Sequence, residues 1–324
     1  MHTSRSGLSL GPLFLSSLIV LLVANCGSAQ PAAAKPRKLA PGVMNTIRPE
    51  IDPGETVSTH DIVEIRSNID LSWKPNFLTE TRTLYGKSAD VKFRRDIWCL
   101  EFSFKPVRMI EVDVPQPSER MQRKLIWYMV YEVKNTGDRL SSTEQPDGSF
   151  VAEPSQLKTV RFIPHMVLEG QDRDASGQPI YKAYLDQVIP SAVEAIQKRE
   201  TPGRRLLNSA QMADEVLPIT DGRSDQGVWG VATWADVDPR IDFFSVYVSG
   251  LSNAYRWIDP PGAYQIGDSP GKGRLFARKT LQLNFWRPGD EFLEHEGEIR
   301  FGVPKGKAQF YGVDPGVAYR WIYR

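Results

Sequence analysis

Leu125-Ile-Trp-Tyr-Met-Val-Tyr-Glu-Val-Lys-Asn-Thr-Gly-Asp138 is the stretch that decides the fold class. Its first seven residues are all apolar or aromatic. A strand covered on both faces reads as such a continuous run, so this one is expected in the middle of a sheet. From Tyr131 the pattern alternates. Tyr131 and Val133 fall on one face and Glu132 and Lys134 on the other, which predicts that one face reaches water there. Asn135, Thr136, Gly137 and Asp138 supply a residue tolerant of positive φ and a glycine, and so end the strand in a turn. A second run, Ile241-Asp-Phe-Phe-Ser-Val-Tyr-Val-Ser-Gly250, reads the same way and predicts a second central strand.

The neighbouring segments carry the same period. Trp98, Leu100, Phe102 and Phe104 share one face. Pro106 interrupts, and Ile110, Val112 and Val114 resume, giving either two strand segments or one long bent strand with the proline at an edge or bulge. Leu157–Leu168, Val228–Trp234, Arg278–Trp286, Gly297–Val303 and Val317–Tyr323 also read as strands. In the last, Val317, Tyr319, Trp321 and Tyr323 line one face, with Arg320 and Arg324 on the other. One helix is expected, Ile189–Glu200. Pro190 sits in its first turn, where the missing N–H costs nothing. Val193 and Ile196 share a face, Lys198 and Arg199 complement the dipole of the last turn, and Thr201-Pro-Gly203 stops it.

The pattern Tyr131-x-Val133-x-Asn135-x-Gly137-Asp138 resembles a strand and turn that recur in immunoglobulin-like β-sandwich modules of bacterial secreted and surface proteins. The likeness covers residues 127–138. It implies a sandwich architecture and a role in adhesion, spacing or partner binding, with no catalytic residues to carry over. The cysteine pattern of antibody domains is absent. The expected fold is therefore mostly β: two antiparallel immunoglobulin-like β-sandwich regions, residues 57–200 and 205–324, with the short helix near 190–200 at their seam.

The N-terminus reads as an address. Arg5 precedes the apolar run Pro12–Ala24, which has the length of a signal-peptide core, and Gly27-Ser-Ala29 fits cleavage after Ala29. Residues 1–29 are the expected signal peptide and the location secreted or periplasmic, with no transmembrane segment after cleavage. Val23-Ala-Asn-Cys26 is the lipoprotein alternative, although Asn25 departs from the small residue of that motif. Residues 30–56, rich in Pro and Ala at their start, read as a flexible tether. After cleavage Cys99 is the only cysteine, so no intramolecular disulfide is available; its apolar strand setting predicts a buried, inert thiol. Removing Arg5 leaves 39 bases against 39 acids. That balance gives no general attraction for nucleic acid.

Candidate chemistry falls in the loops. Asp172-x-Asp174-x-Ser176-Gly177 begins like a calcium loop, but its twelfth position is Ala183 where a bidentate Glu is needed. A hairpin turn is expected instead. Asp236, Asp238 and Asp242 form a second acidic loop, able to hold Ca²⁺ or to cap turns and pair with Arg240; Asp221 and Asp225 lie near in sequence. Glu294-His-Glu-Gly-Glu298, with Asp290 and Glu291, could supply a carboxylate pair for glycoside hydrolysis, against a solvated hairpin. No zinc-protease, nucleophile-elbow or phosphate-loop pattern occurs. Among the aromatic residues Trp229, Trp234, Tyr255, Trp257 and Tyr264, the expected ligand contacts are Tyr255, Trp257 and Tyr264, because Asn253, Arg256 and Asp259-Pro-Pro261 surround the first two. The functional expectation is a non-enzymatic extracytoplasmic interaction or envelope-structural protein, with a protein or glycan partner at the cell envelope. Carbohydrate binding through loop aromatics comes second and hydrolysis third. No cofactor is expected beyond the calcium option.

Overall fold

Every residue of the run Ile126–Val133 is buried, and only Leu125, which precedes it, is exposed. The reason is visible in the computed structural model, which describes residues 44–59, 92–155, 159–220, 227–263, 272–288 and 298–324. The fold is mostly β, in antiparallel sheets with few helices. In chain order the strands of the two large sheets are β1 (Asn45–Ile47), β2 (Glu101–Phe104), β3 (Arg108–Pro115), β4 (Met121–Lys134), β5 (His165–Gly170), β6 (Ala183–Leu185), β7 (Val228–Trp234), β8 (Phe243–Ser249), β9 (Tyr255–Ile258), β10 (Leu275–Trp286), β11 (Arg300–Phe301) and β12 (Tyr319–Tyr323).

The first sheet runs β1-β2-β4-β7, with β3 also on β4. Glu101–Phe104 pairs with the C-terminal end of β4 and Arg108–Pro115 with its N-terminal half. Lys105 N still donates to Val130 O at 2.9 Å. The two pieces are thus one bent strand, broken where Pro106 has no N–H to give. The second sheet runs β6-β5-β8-β10-β9, with β11 and β12 also on β10.

Period two then builds the core. Trp127, Met129, Tyr131 and Val133 face Phe244, Val246, Val248, Leu281, Leu283 and Phe285 of the second sheet. Trp127 meets Phe244 edge-on with ring centroids 5.4 Å apart, and Phe104 meets Phe285 at 6.0 Å. The opposite face of β4, Ile126, Tyr128 and Val130, packs on Ala192 and Ile196 of the helix α1 (Pro190–Glu200) and on Ile189, which precedes it. The order of layers is helix, first sheet, second sheet. Each large side chain so buried contributes on the order of 2 kcal/mol, which lets the core hold without a disulfide. Cys99 is buried, and burial pushes its thiol up to about 12.

Four expectations are corrected. First, residues 57–200 and 205–324 are not separate sandwiches. β7 pairs with β4 and β8 with β5, so each sheet takes strands from both sides of residue 200, and Leu39–Arg324 is one compact unit. The helix covers the first sheet rather than marking a seam. Second, the wet end of β4 is dry at Glu132, which is 4% exposed. The chain at Gly227 covers it so closely that a Cβ there would lie 2.1 Å from Glu132 Oε1, and Lys134 Nζ lies 3.3 Å from the carboxylate.

Third, the described part of the expected tether is docked. Asn45–Ile47 pairs with β2, and Pro53–Thr56 is a 3₁₀ turn capped reciprocally by Asp52 and Glu55. Glu55 is buried against Lys279 Nζ at 2.8 Å and also accepts from the Tyr323 hydroxyl. Fourth, Leu157–Leu168 is not one strand. Thr159–Val160 pairs with Leu217–Pro218, and past Pro164 the chain joins the second sheet as β5. A helix not expected from the sequence, α2 (Ser209–Asp214), is closed at its start by a capping box between Asn208 and Gln211. Among the described residues, no helix is long and apolar enough to cross a membrane.

Candidate binding groove

β8 and β5 turn Val248, Val246, Met166 and Leu168 into the core. Their alternate residues, His165 opposite Ser249 and Val167 opposite Tyr247, therefore face outward. These four, with Trp98, Asn253, Tyr255, Phe276, Arg161, Arg278 and Arg324, line a groove of about 1050 Å³. Its end is shaped by Gly250, whose φ of 95° and close approach exclude any side chain: a Cβ there would lie 2.2 Å from Ile163 O. Asn253 fixes one wall. Its Oδ1 accepts from Trp98 N at 2.9 Å and its Nδ2 donates to Asp96 O at 2.8 Å.

Cations and rings dominate this lining. Arg161 and Arg278 are exposed and make no ion pair or side-chain hydrogen bond with the described residues. Arg324 lies over the Tyr247 ring at 4.1 Å and pairs with Glu169 at 2.9 Å. Burial, reinforced by the Glu169 charge, pushes the Tyr247 hydroxyl up, so it stays neutral. No Asp or Glu is among the described lining residues.

Tyr255 and Trp257 are brought together on β9, their centroids 6.1 Å apart. β9 pairs with the start of β10, which sets Tyr255 opposite Arg278 and Trp257 opposite Phe276. Tyr255 has a second neighbourhood, a recess of about 600 Å³ also lined by Trp257, Arg95, Arg256, Ser58, Glu55 and Asp259. Arg95 lies 4.3 Å from the Tyr255 ring and 5.5 Å from that of Trp257. Arg274 lies 5.0 Å from Trp257 and grips Asp259 through bonds of 2.7 and 2.9 Å. Tyr264, the third expected contact, lies outside the described residues.

The acidic residues have other occupations. Asp236 accepts twice from Lys124 Nζ, at 3.0 and 3.1 Å. Asp238 is bound by Arg240 and Lys182, which hold its carboxyl well below the usual range. The backbone N–H of Asp242 donates to Asp172 at 3.3 Å. No group of three His, Cys, Asp or Glu suited to a metal occurs among the described residues. Asp174 closes the expected hairpin turn, accepting from Ser176 N at 2.8 Å and Gln178 N at 2.9 Å, with Gly177 at φ 82°. Asp221, Asp225, Asp290, Glu291 and residues 294–296 lie outside the described residues; Glu298 is exposed, 3.8 Å from Arg300.

Sequence reading missed Arg95, Arg161, His165, Tyr247 and Arg278. One signal was present: the period of the last strand sets Arg324 on the face away from Trp321. It does not distinguish Arg324 from Arg320, whose Nε instead donates to the buried Gln282 at 2.8 Å. Comparison of the chain with protein-family models, with curated proteins and with solved structures gives no match.

Proposed function

We propose that this chain is a non-enzymatic, extracytoplasmic binding protein that holds an acidic glycan in the groove on the outer face of its second sheet. The observation that carries this is the pairing of two guanidinium groups unmatched by the described residues, Arg161 and Arg278, with the rings of Tyr255 and Phe276, in a described lining without Asp or Glu side chains. Sugar rings stack on aromatic faces, and guanidinium forks match carboxylate or sulfate oxygens two at a time. The volume suits a short oligosaccharide. Glycoside hydrolysis needs two carboxylates flanking the bond, and none is among the described residues of the groove. The signal-like N-terminus supports the location, and the resemblance to immunoglobulin-like surface modules supports a binding role.

Isothermal titration of the full chain with hexagalacturonate, a heparin hexasaccharide and neutral maltohexaose tests the reading. A charged glycan is expected to bind and maltohexaose is not. Binding should weaken with salt, and Arg278→Ala should weaken it about tenfold, the worth of one charge-assisted hydrogen bond. Equal binding of the neutral sugar, or no binding of either charged glycan at millimolar concentration, would overturn it.

A further inference from the structure

The recess behind Tyr255 repeats the chemistry of the groove: a ring, Trp257, beside a guanidinium, Arg95, that has no carboxylate partner among the described residues. Building on the anionic reading of the groove, we infer that the ligand is an oligomer with repeated negative charges, bound across Tyr255 so that a second anionic group reaches Arg95. Tyr255 lines both the groove and the recess, so one chain can pass from one to the other over a single ring. Nε and Nη1 of Arg95 are shielded from solvent and have no hydrogen-bond partner among the described residues. Shielded donors left without an acceptor are unfavourable, and an anion beside the guanidinium relieves this.

The acids of the recess do not perform this task. Glu55 is matched to Lys279 at 2.8 Å and Asp259 to Arg274 at 2.7 Å. Arg256 adds a further cation, whose nearest carboxylate among the described residues, Asp52, is 3.9 Å away. Ser58 Oγ, shielded and without a partner among the described residues, is an additional polar group of the same recess.

Titration of the full chain with di- and hexagalacturonate separates this from the parent reading. The hexamer is expected to bind at least about tenfold more tightly than the dimer, as tethered second contacts do. In Arg95→Gln the hexamer should fall to the affinity of the dimer, while Arg278→Ala weakens both lengths. Trp257→Phe, which keeps a ring over Arg95, provides a second variant should Arg95→Gln unfold, and it should narrow the gap between lengths. Equal affinities for the two lengths in the unaltered chain, or an Arg95→Gln effect equal at both lengths, overturns the oligomer. Absence of binding by either length, with the heparin fragment also silent, overturns the groove itself.

Discussion

Glu200 sits where a helix disfavours a negative charge, at the C-terminal end of α1. It stays ionised because the fold surrounds it with donors. Tyr128 Oη donates at 2.7 Å, Arg108 Nη1 at 2.9 Å and Lys105 Nζ at 3.3 Å, and the side chain is 3% exposed. Burial alone would raise its pKa; Tyr128, Arg108 and Lys105 outweigh burial and hold the carboxyl below the usual range. A folded value below the unfolded one means the stabilisation is complete above about pH 4.3 and is lost as pH falls through the lower, folded value. Glu200→Gln leaves the buried Lys105 and the half-buried Arg108 without a charge to face. It should lower stability by about 3 kcal/mol at pH 7, read from urea midpoints, and should flatten the acid limb of the stability profile. None of this was legible in the sequence. Lys105 and Glu200 are far apart in the chain, and a Glu at the end of a helix looks like a solvated residue until the strand beneath it is known.

At the scale of elements, much was legible where both faces of a segment carried the same message. β4, β8 and α1 stand where period and punctuation placed them, because two-sided burial and a proline-led helix are local properties. The β4 terminus was misread at Glu132, since alternation reports which face a side chain takes and not what lies above that face. Here Gly227 brings the chain down onto it. Substitutions along β4 make the point measurable. Val130, 1% exposed against Val231 and α1, should not accept an aspartate. Val130→Asp is expected to cost more than about 4 kcal/mol, through a buried unpaired charge. Glu132→Lys, which an exposed position would tolerate, should instead cost about 2 kcal/mol or more by setting like charges together beside Lys134 in a covered site. Thermal unfolding of the two variants decides it: a Glu132→Lys melting temperature equal to that of the unaltered protein would return that residue to the surface. The candidate groove was half legible for the same reason. Tyr255 and Trp257 announce themselves by their loop neighbours, whereas Arg161, His165 and Tyr247 become a site only through the pairing of β5 with β8.

Across the whole molecule, each large sheet takes strands from both sides of residue 200, and Lys279 reaches back to Glu55 near the start of the described structure. Local sequence carries no trace of such interleaving, which is why two sandwiches were expected in place of one. Fragments divided near residue 204 should therefore not fold alone. Each is expected to give broad, poorly dispersed amide spectra and to bind a hydrophobic dye, and mixing them is expected to restore native circular dichroism. An independently folded 205–324 fragment with a cooperative melt would contradict the shared core.

The same interleaving sets a timetable. Strand pairs so distant in sequence close slowly, on the scale of milliseconds to seconds. A chain growing at about 5–20 residues per second makes β4 long before β7 or β10 exists to cover it. For that interval Trp127, Met129 and Tyr131 form a bare apolar ribbon with an open edge. Such a ribbon is a template for association with other nascent chains, so slowing synthesis between β4 and β7 is expected to raise the insoluble share of the product, as read from the soluble and pelleted fractions.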